Sequence, residues 1–273
     1  MRTRSFPASL LVALALGAGA SAQVTLRVSV DSAGNPGDSW SGGFVQGRSL
    51  SISPDGRFVA FESLCTNLAP GDSNLWRDVF VHDRWSGATE RVSVATGGAD
   101  GNGPSQLPAI SADGRFVVFA SGATNFFAGD SNGVSDVFLR DRQLGTTERL
   151  GTGGSWAAIS PDARFVAFAS PDALVPGDAN GLEDVFVLDR QLGTTDRVSV
   201  STAGVAGNQS SSFPAMSPDG RYVAFQSSAS SLVAGDTNGR ADVFVRDRLL
   251  GTTERVSVGP GGAQAADASF SPS

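Results

Sequence analysis

The richest set of ligating side chains in this chain is Asp-x-Asn-Gly-x-x-Asp. It occurs as Asp130, Asn132 and Asp136, as Asp178, Asn180 and Asp184, and as Asp236, Asn238 and Asp242. A first copy, with Asp72, Asn74 and Asp78, carries Leu75 in place of the glycine. Oxygen-bearing side chains at positions one, three and seven around a glycine turn match part of a calcium loop, and calcium takes about six to eight oxygens at ~2.3 to 2.6 Å. The first ligand of the longer acidic loops is missing, because Pro70, Ala128, Pro176 and Ala234 stand there. The helix and terminal glutamate of an EF-hand are missing too. Turn chemistry explains the same residues: Asp and Asn close Asx turns, glycine supplies a left-handed residue, and the last Asp ties the loop to its strand. Both readings stay open, with these twelve residues as candidate calcium ligands.

Other chemistry is sparse, and no catalytic residue is assigned. His82 is the only histidine, and its counterparts are Arg140, Leu188 and Arg246. There is no Cys/His spacing for zinc. Cys65 stands alone, so no internal disulfide forms, and a small buried hydrophobe is its expected role. Twenty-two aspartates make a carboxylate pair available in principle, but the repeated ones read as turn formers.

These loops sit in a larger repeat. A Ser-x-Asp-x-Arg turn begins at Ser53, Ser111, Ser160 and Ser217, and a Val-Phe run follows Asp78, Asp136, Asp184 and Asp242. Both markers advance together, at a period of roughly 50 residues. Each copy holds three readable strands and room for a fourth. Phe-Val-Ala-Phe and its variants follow the turn, as strands buried on both faces do. Val-Phe-Val or Val-Phe-Leu comes next. An Asp-Arg-x-x-Gly hairpin, with Gly87, Gly145, Gly193 and Gly251, then leads to Glu-Arg-Val-Ser-Val or a variant. The fourth strand lies just before each turn, as in Arg48 to Ile52.

A four-stranded antiparallel unit at this period implies an all-β fold, the β-propeller, because one blade cannot bury both faces until neighbours stack on it. The Ser-Pro-Asp-Gly-Arg-x-Val-Ala-Phe turn and strand resemble the repeats of TolB-type, WD-like bacterial propellers, over about residues 48–273. That family includes periplasmic partner-binding proteins and the propeller domains of some peptidases, so the resemblance implies a fold and leaves activity open.

Residues 1–22 read as a secretory signal, with Arg2 and Arg4, an apolar core near Leu10 to Ala20 and cleavage after Ala22. The propeller domain is then 23–273, with repeats beginning near 48, 106, 155 and 212 and a partial repeat at 267–273. Val24 to Val30 repeats the outgoing strand and is expected to complete the last blade. Phe270 to Ser273 reads as the start of another Ser-Pro-Asp-Gly turn. Four full repeats plus a partial one imply an incomplete ring, with a free-standing four-bladed ring as the alternative. In the third copy Ala163 replaces the turn glycine, at a cost on the order of 1 kcal/mol if the position needs positive φ.

The chain has 20 basic and 27 acidic residues, for a net charge of −7, and every basic residue is arginine. An acidic chain without a basic cluster is a poor partner for nucleic acid or anionic membranes. The arginines recur at fixed places (Arg57, Arg115, Arg164, Arg221; Arg91, Arg149, Arg197, Arg255) and are expected to pair across strands with the periodic aspartates. Trp40, Trp76, Trp85 and Trp156 occupy non-equivalent positions, where a binding rim is built as readily as a core.

The reading is a secreted or periplasmic propeller without catalytic activity or stable membrane anchor, which presents loops and a central channel to a protein or peptide partner. Loops Ala95 to Gln106 and Ser201 to Ser212 are the expected contact surface. The alternatives are a calcium-stabilised surface or adhesion module and a propeller hydrolase or lyase.

Overall fold

The computed structural model describes residues 25–42, 50–154, 156–270 and 272. The predicted signal peptide, Val24 and Arg48–Ser49 lie outside them. Sixteen strands form four meandering antiparallel sheets, each in sequence order. The first blade holds β1 (Leu50–Ile52), β2 (Phe58–Ser63), β3 (Asp78–Asp83) and β4 (Thr89–Arg91). The second holds β5 (Ser105–Ile110), β6 (Phe116–Ser121), β7 (Asp136–Asp141) and β8 (Thr146–Gly151). The third has β9 (Ala157–Ile159), β10 (Phe165–Ser170), β11 (Asp184–Asp189) and β12 (Thr194–Arg197). The fourth has β13 (Ser211–Met216), β14 (Tyr222–Ser227), β15 (Asp242–Asp247) and β16 (Thr252–Arg255). No helix among the described residues is long and apolar enough to cross a membrane.

The second and third strands of each blade are its centre, and every residue of β2, β3 and β6 is buried. The apolar runs are continuous because both faces meet protein: one cluster joins blades one and two, another two and three, a third three and four. Phe80, Phe138, Phe186 and Phe244, from the Val-Phe strands, are fully enclosed. No cluster among the described residues joins blade four to blade one, so the ring is open there.

The turns follow one hydrogen-bond plan. Ser53 Oγ donates to Asp55 Oδ1 at 2.6 Å, the Arg57 amide donates to the same oxygen, and the Phe58 amide donates to Ser53 Oγ. The arginine then crosses to the Asp of the Asp-Arg hairpin through two bonds, 3.0 and 2.8 Å for Arg57 and Asp83. Arg115–Asp141, Arg164–Asp189 and Arg221–Asp247 repeat this pair. The expected cross-strand pairing is thus present, with its partners set by the register Phe58↔Asp83. The turn does require positive φ: 72° at Gly56, 70° at Gly114 and Gly220, and 56° at Ala163.

Residues 25–30 lie against the first blade, where Thr89 Oγ1 donates to Val30 O at 2.5 Å, as Thr147 does to Val94 O and Thr253 to Val200 O, the place of an outer strand of a preceding blade. The C-terminal end differs from expectation. Ser269 N donates to Ala241 O, as Ser105 does to Arg77 and Ser211 to Glu183. That register places Ser269 at the start of an innermost strand, so Pro272 aligns with Pro108 and Pro214 and not with the turn proline of Ser-Pro-Asp.

Candidate functional site

The four Asp-x-Asn loops close on themselves and on an arginine. Asn74 Nδ2 donates to Asp78 Oδ2 at 2.9 Å while its Oδ1 accepts the Trp76 amide, an Asx turn. Asn132 and Asp136, Asn180 and Asp184, and Asn238 and Asp242 do the same. The outer-strand arginine supplies the positive charge. Arg91 pairs with Asp72 at 2.7 Å and Asp78 at 3.5 Å, Arg197 with Asp178 and Asp184, and Arg255 with Asp236 and Asp242. Arg149 pairs with Asp136 alone and lays its guanidinium over Phe127. In three of the loops the last Asp also accepts from a serine, Asp78 from Ser93, Asp184 from Ser199 and Asp242 from Ser257, whereas Asp136 accepts from the Gly153 amide. All twelve candidate ligands are therefore gathered at loop bases, with a guanidinium beside each group and the asparagine turning its amide nitrogen inward. Among the described residues no group of three or more His, Cys, Asp or Glu converges to hold a metal. Burial pushes Asp78 up to about 6 and raises Asp72, outweighing the nearby Arg91.

The remaining sequence candidates resolve as architecture. His82 is buried, its Nδ1 2.8 Å from Thr89 Oγ1, where Arg140 and Arg246 clamp Thr147 and Thr253. Burial lowers its pKa. Cys65 is buried and donates its thiol to Ser39 O. Trp40, Trp76 and Trp85 are exposed, and Arg57 stacks on Trp85.

The loops expected to form the contact surface are exposed at residues 96–99 and 202–205, and they also bond to neighbouring strands. Thr147 Oγ1 donates to Val94 O, Asn102 Nδ2 to Thr124 Oγ1, and Asn208 Nδ2 to Ser230 Oγ. A Cβ on Gly103 would meet Gly122 O at 2.5 Å, so the backbone here is packed against the next blade. Their sequence variation reflects linker geometry, and deleting them would dismantle the blade junctions.

What sequence reading left unassigned is the lining of the axis. The innermost strands β1, β5, β9 and β13 enclose a cavity of about 300 Å³ lined by Leu50, Leu107, Pro108, Ile110, Trp156 and Met216 together with serine and alanine. None of its lining residues titrates. Trp156 rests against Phe213, ring centroids 4.3 Å apart. Leu107 and Phe213 hold φ of 58° and 56° at matching bulges, each just before a proline. Left-handed backbone in a non-glycine residue costs roughly 1 to 3 kcal/mol and persists only where surroundings over-determine it. At Leu107 they do: its amide donates to the fully buried Glu62, whose pKa burial raises and Arg77 offsets. The only sequence signal was the pair Leu107-Pro108-Ala109-Ile110 and Phe213-Pro214-Ala215-Met216.

Solved structures share this fold. The putative TolB from Agrobacterium tumefaciens is 19% identical, with 83% of this chain and 72% of that chain covered at a TM-score of 0.50. TolB from Acinetobacter baumannii is 19% identical over 76% of this chain and 42% of that chain, TM-score 0.48. The β-propeller domain of the Trilobed protease from Pyrococcus furiosus is 12% identical over 76% of this chain and 56% of that one, TM-score 0.44. This chain thus spans less than half the length of the Acinetobacter protein. No protein-family model and no curated protein matches it. The fold is an open propeller of four-stranded blades, shared with the TolB structure from Agrobacterium tumefaciens.

Proposed function

We propose that this protein is a non-catalytic binding scaffold acting outside the cytoplasm, and that its axial cavity receives an apolar anchor from a protein or peptide partner. The observation that carries this is the cavity lining, apolar side chains from all four blades, among them Trp156, which rests against Phe213. Aromatic anchors in desolvated pockets dominate binding energy at protein interfaces. The periodic arginines of the turns are committed elsewhere, in ion pairs with the hairpin aspartates. The TolB-like fold supports the scaffold reading as an analogy of architecture.

Selection of a displayed peptide library on the full chain tests it. Enriched peptides should carry an aromatic or large aliphatic residue and lose about tenfold or more in affinity against Trp156→Ala or Met216→Glu. Binders indifferent to both substitutions would refute the assignment. The calcium-stabilised alternative has its best place at the second loop, where Asp130 is not paired with Arg149 and its Oδ1 lacks a hydrogen-bond partner. A saturable calcium-dependent rise in Tm lost in Asp130→Asn would favour it.

A further inference from the structure

The junction of blades one and two and that of blades three and four share one polar position, filled with opposite charges. Arg77 stands directly before β3 and Glu183 directly before β11. The carbonyl of each accepts the same bond from the next blade, Ser105 N to Arg77 O and Ser211 N to Glu183 O, both at 2.7 Å. Side chains alternate along a strand, so Arg77 shares a face with Val79 and Val81, and Glu183 with Val185 and Val187. Those valines belong to the clusters that join blade one to two and blade three to four. Both charged side chains therefore leave their strand toward the next blade.

In the first junction the position is complete. Arg77 Nη1 donates to Gln106 Oε1 at 3.0 Å and stands 3.7 Å from Glu62 Oε1. Glu62 is fully buried, and its other oxygen accepts the Leu107 amide at 3.3 Å. Charge, counter-charge and amide thus close on one another behind Leu107, which lines the axial cavity. A buried carboxylate is tolerated where such partners are supplied.

In the other junction the partners are small and neutral. The registers Glu62↔Val79 and Ala169↔Val185 put Ala169 where Glu62 stands, and Ser212, one residue after Ser211, takes the place of Gln106. Two long polar side chains give way to a methyl and a hydroxymethyl, which leaves room. Among the described residues nothing takes their part: burial alone pushes the half-buried Glu183 up to about 7, with no hydrogen bond or neighbouring charge to oppose it. The position adjoins the axis, because Phe213 follows Ser212 and rests against Trp156, which lines the cavity.

We propose that Glu183 pairs with an arginine or lysine of the peptide whose apolar anchor fills the axial cavity, an inference that rests on that reading of the cavity and adds a charge requirement to it. The incoming cation would stand to Glu183 as Arg77 stands to Glu62, in the room left by Ala169 and Ser212. A carboxylate held out of water without a partner is costly, and an opposite charge brought beside it removes that cost, so the pair gains on binding. A metal ion fits less well. One carboxylate with a serine beside it falls far short of the oxygens that a cation such as calcium collects.

Selection of a random displayed peptide library on the full chain, and in parallel on Glu183→Arg, tests the proposal. Binders of the unaltered protein should carry arginine or lysine at one fixed spacing from the apolar anchor, and binders of Glu183→Arg should carry aspartate or glutamate there. For a selected peptide, Glu183→Gln in the protein and glutamine for the basic residue in the peptide should each weaken binding about tenfold, and both together no more than either alone. Glu183→Gln should leave the Tm unchanged or raised, since no partner is lost; a lowered Tm would give the carboxyl a structural partner and overturn the proposal. Binders that depend on Trp156 yet show no basic residue and no response to Glu183→Gln overturn it too, and leave the cavity reading standing. Binders coupled to Glu183 but indifferent to Trp156→Ala overturn it by parting the carboxylate from the cavity, and a library that yields no binder overturns both readings.

Discussion

The loops at the base of each Val-Phe strand and the strands around the axis use their residues in opposite ways. The loops repeat almost atom for atom: asparagine, two aspartates and one arginine close a polar cluster in three blades, and the second keeps all but one contact. The axis repeats in backbone only. Leu107, Trp156 and Phe213 occupy one structural position with three different side chains, two of them in strained backbone. Repetition marks what every blade needs in order to stand; departure from it marks where this protein differs from a bare scaffold.

The largest effect should come from breaking a loop cluster. Asp184 is fully buried and accepts from Asn180, Ser199 and Arg197. Asp184→Ala leaves Asn180 and Ser199 without their acceptor and Arg197 with Asp178 alone, and should cost about 3 to 5 kcal/mol, read as a shift in urea midpoint. A loss below about 1 kcal/mol would erase the distinction between loops and axis. Gly220→Ala is next, at about 1 to 3 kcal/mol, because its Cβ would stand 2.2 Å from Phe165 at a φ of 70°. Trp156→Ala should cost less stability than either while abolishing partner binding, and the reverse ranking would move recognition off the axis.

His82 supplies a smaller, pH-dependent effect. Burial holds its imidazole below the ordinary value, so the unfolded chain takes up a proton first as the pH falls. The stability it contributes is full above about 6.5 and declines below that pH. Thermal melts at pH 7.5 and 5.5 should show a loss that shrinks in His82→Arg, which restores the clamp of Arg140 and Arg246. Calcium should have the least effect, leaving the Tm unmoved at loops whose aspartates face arginine.

The blades were legible because their signals are local and repeated. Turn, strand and hairpin motifs recur in phase, and burial on both faces makes the strands plain apolar runs. Periodic arginines opposite periodic aspartates also announced their pairing. The axis was not legible because an innermost strand such as Ala157–Ile159 is three residues without contrast, and the bulges at Leu107 and Phe213 depend on tertiary contacts. The linkers hold one feature that their variability hid: a Cβ on Gly103 would meet Gly122 O at 2.5 Å, while Gly101 and Gly207 lie against the side chains of Phe126 and Ala229. The asparagines of the calcium-like loops were found, but spacing alone does not say whether such a group turns its oxygen or its nitrogen inward.

Met216 lines the axial cavity, and the chain's other methionine is Met1. A ¹³C-labelled methionine ε-methyl, assigned by Met216→Leu, therefore reports on that cavity directly. Titration with a selected peptide should shift the Met216 resonance saturably, with the same Kd as calorimetry. Full binding with an unshifted Met216 resonance would place recognition elsewhere and contradict the account.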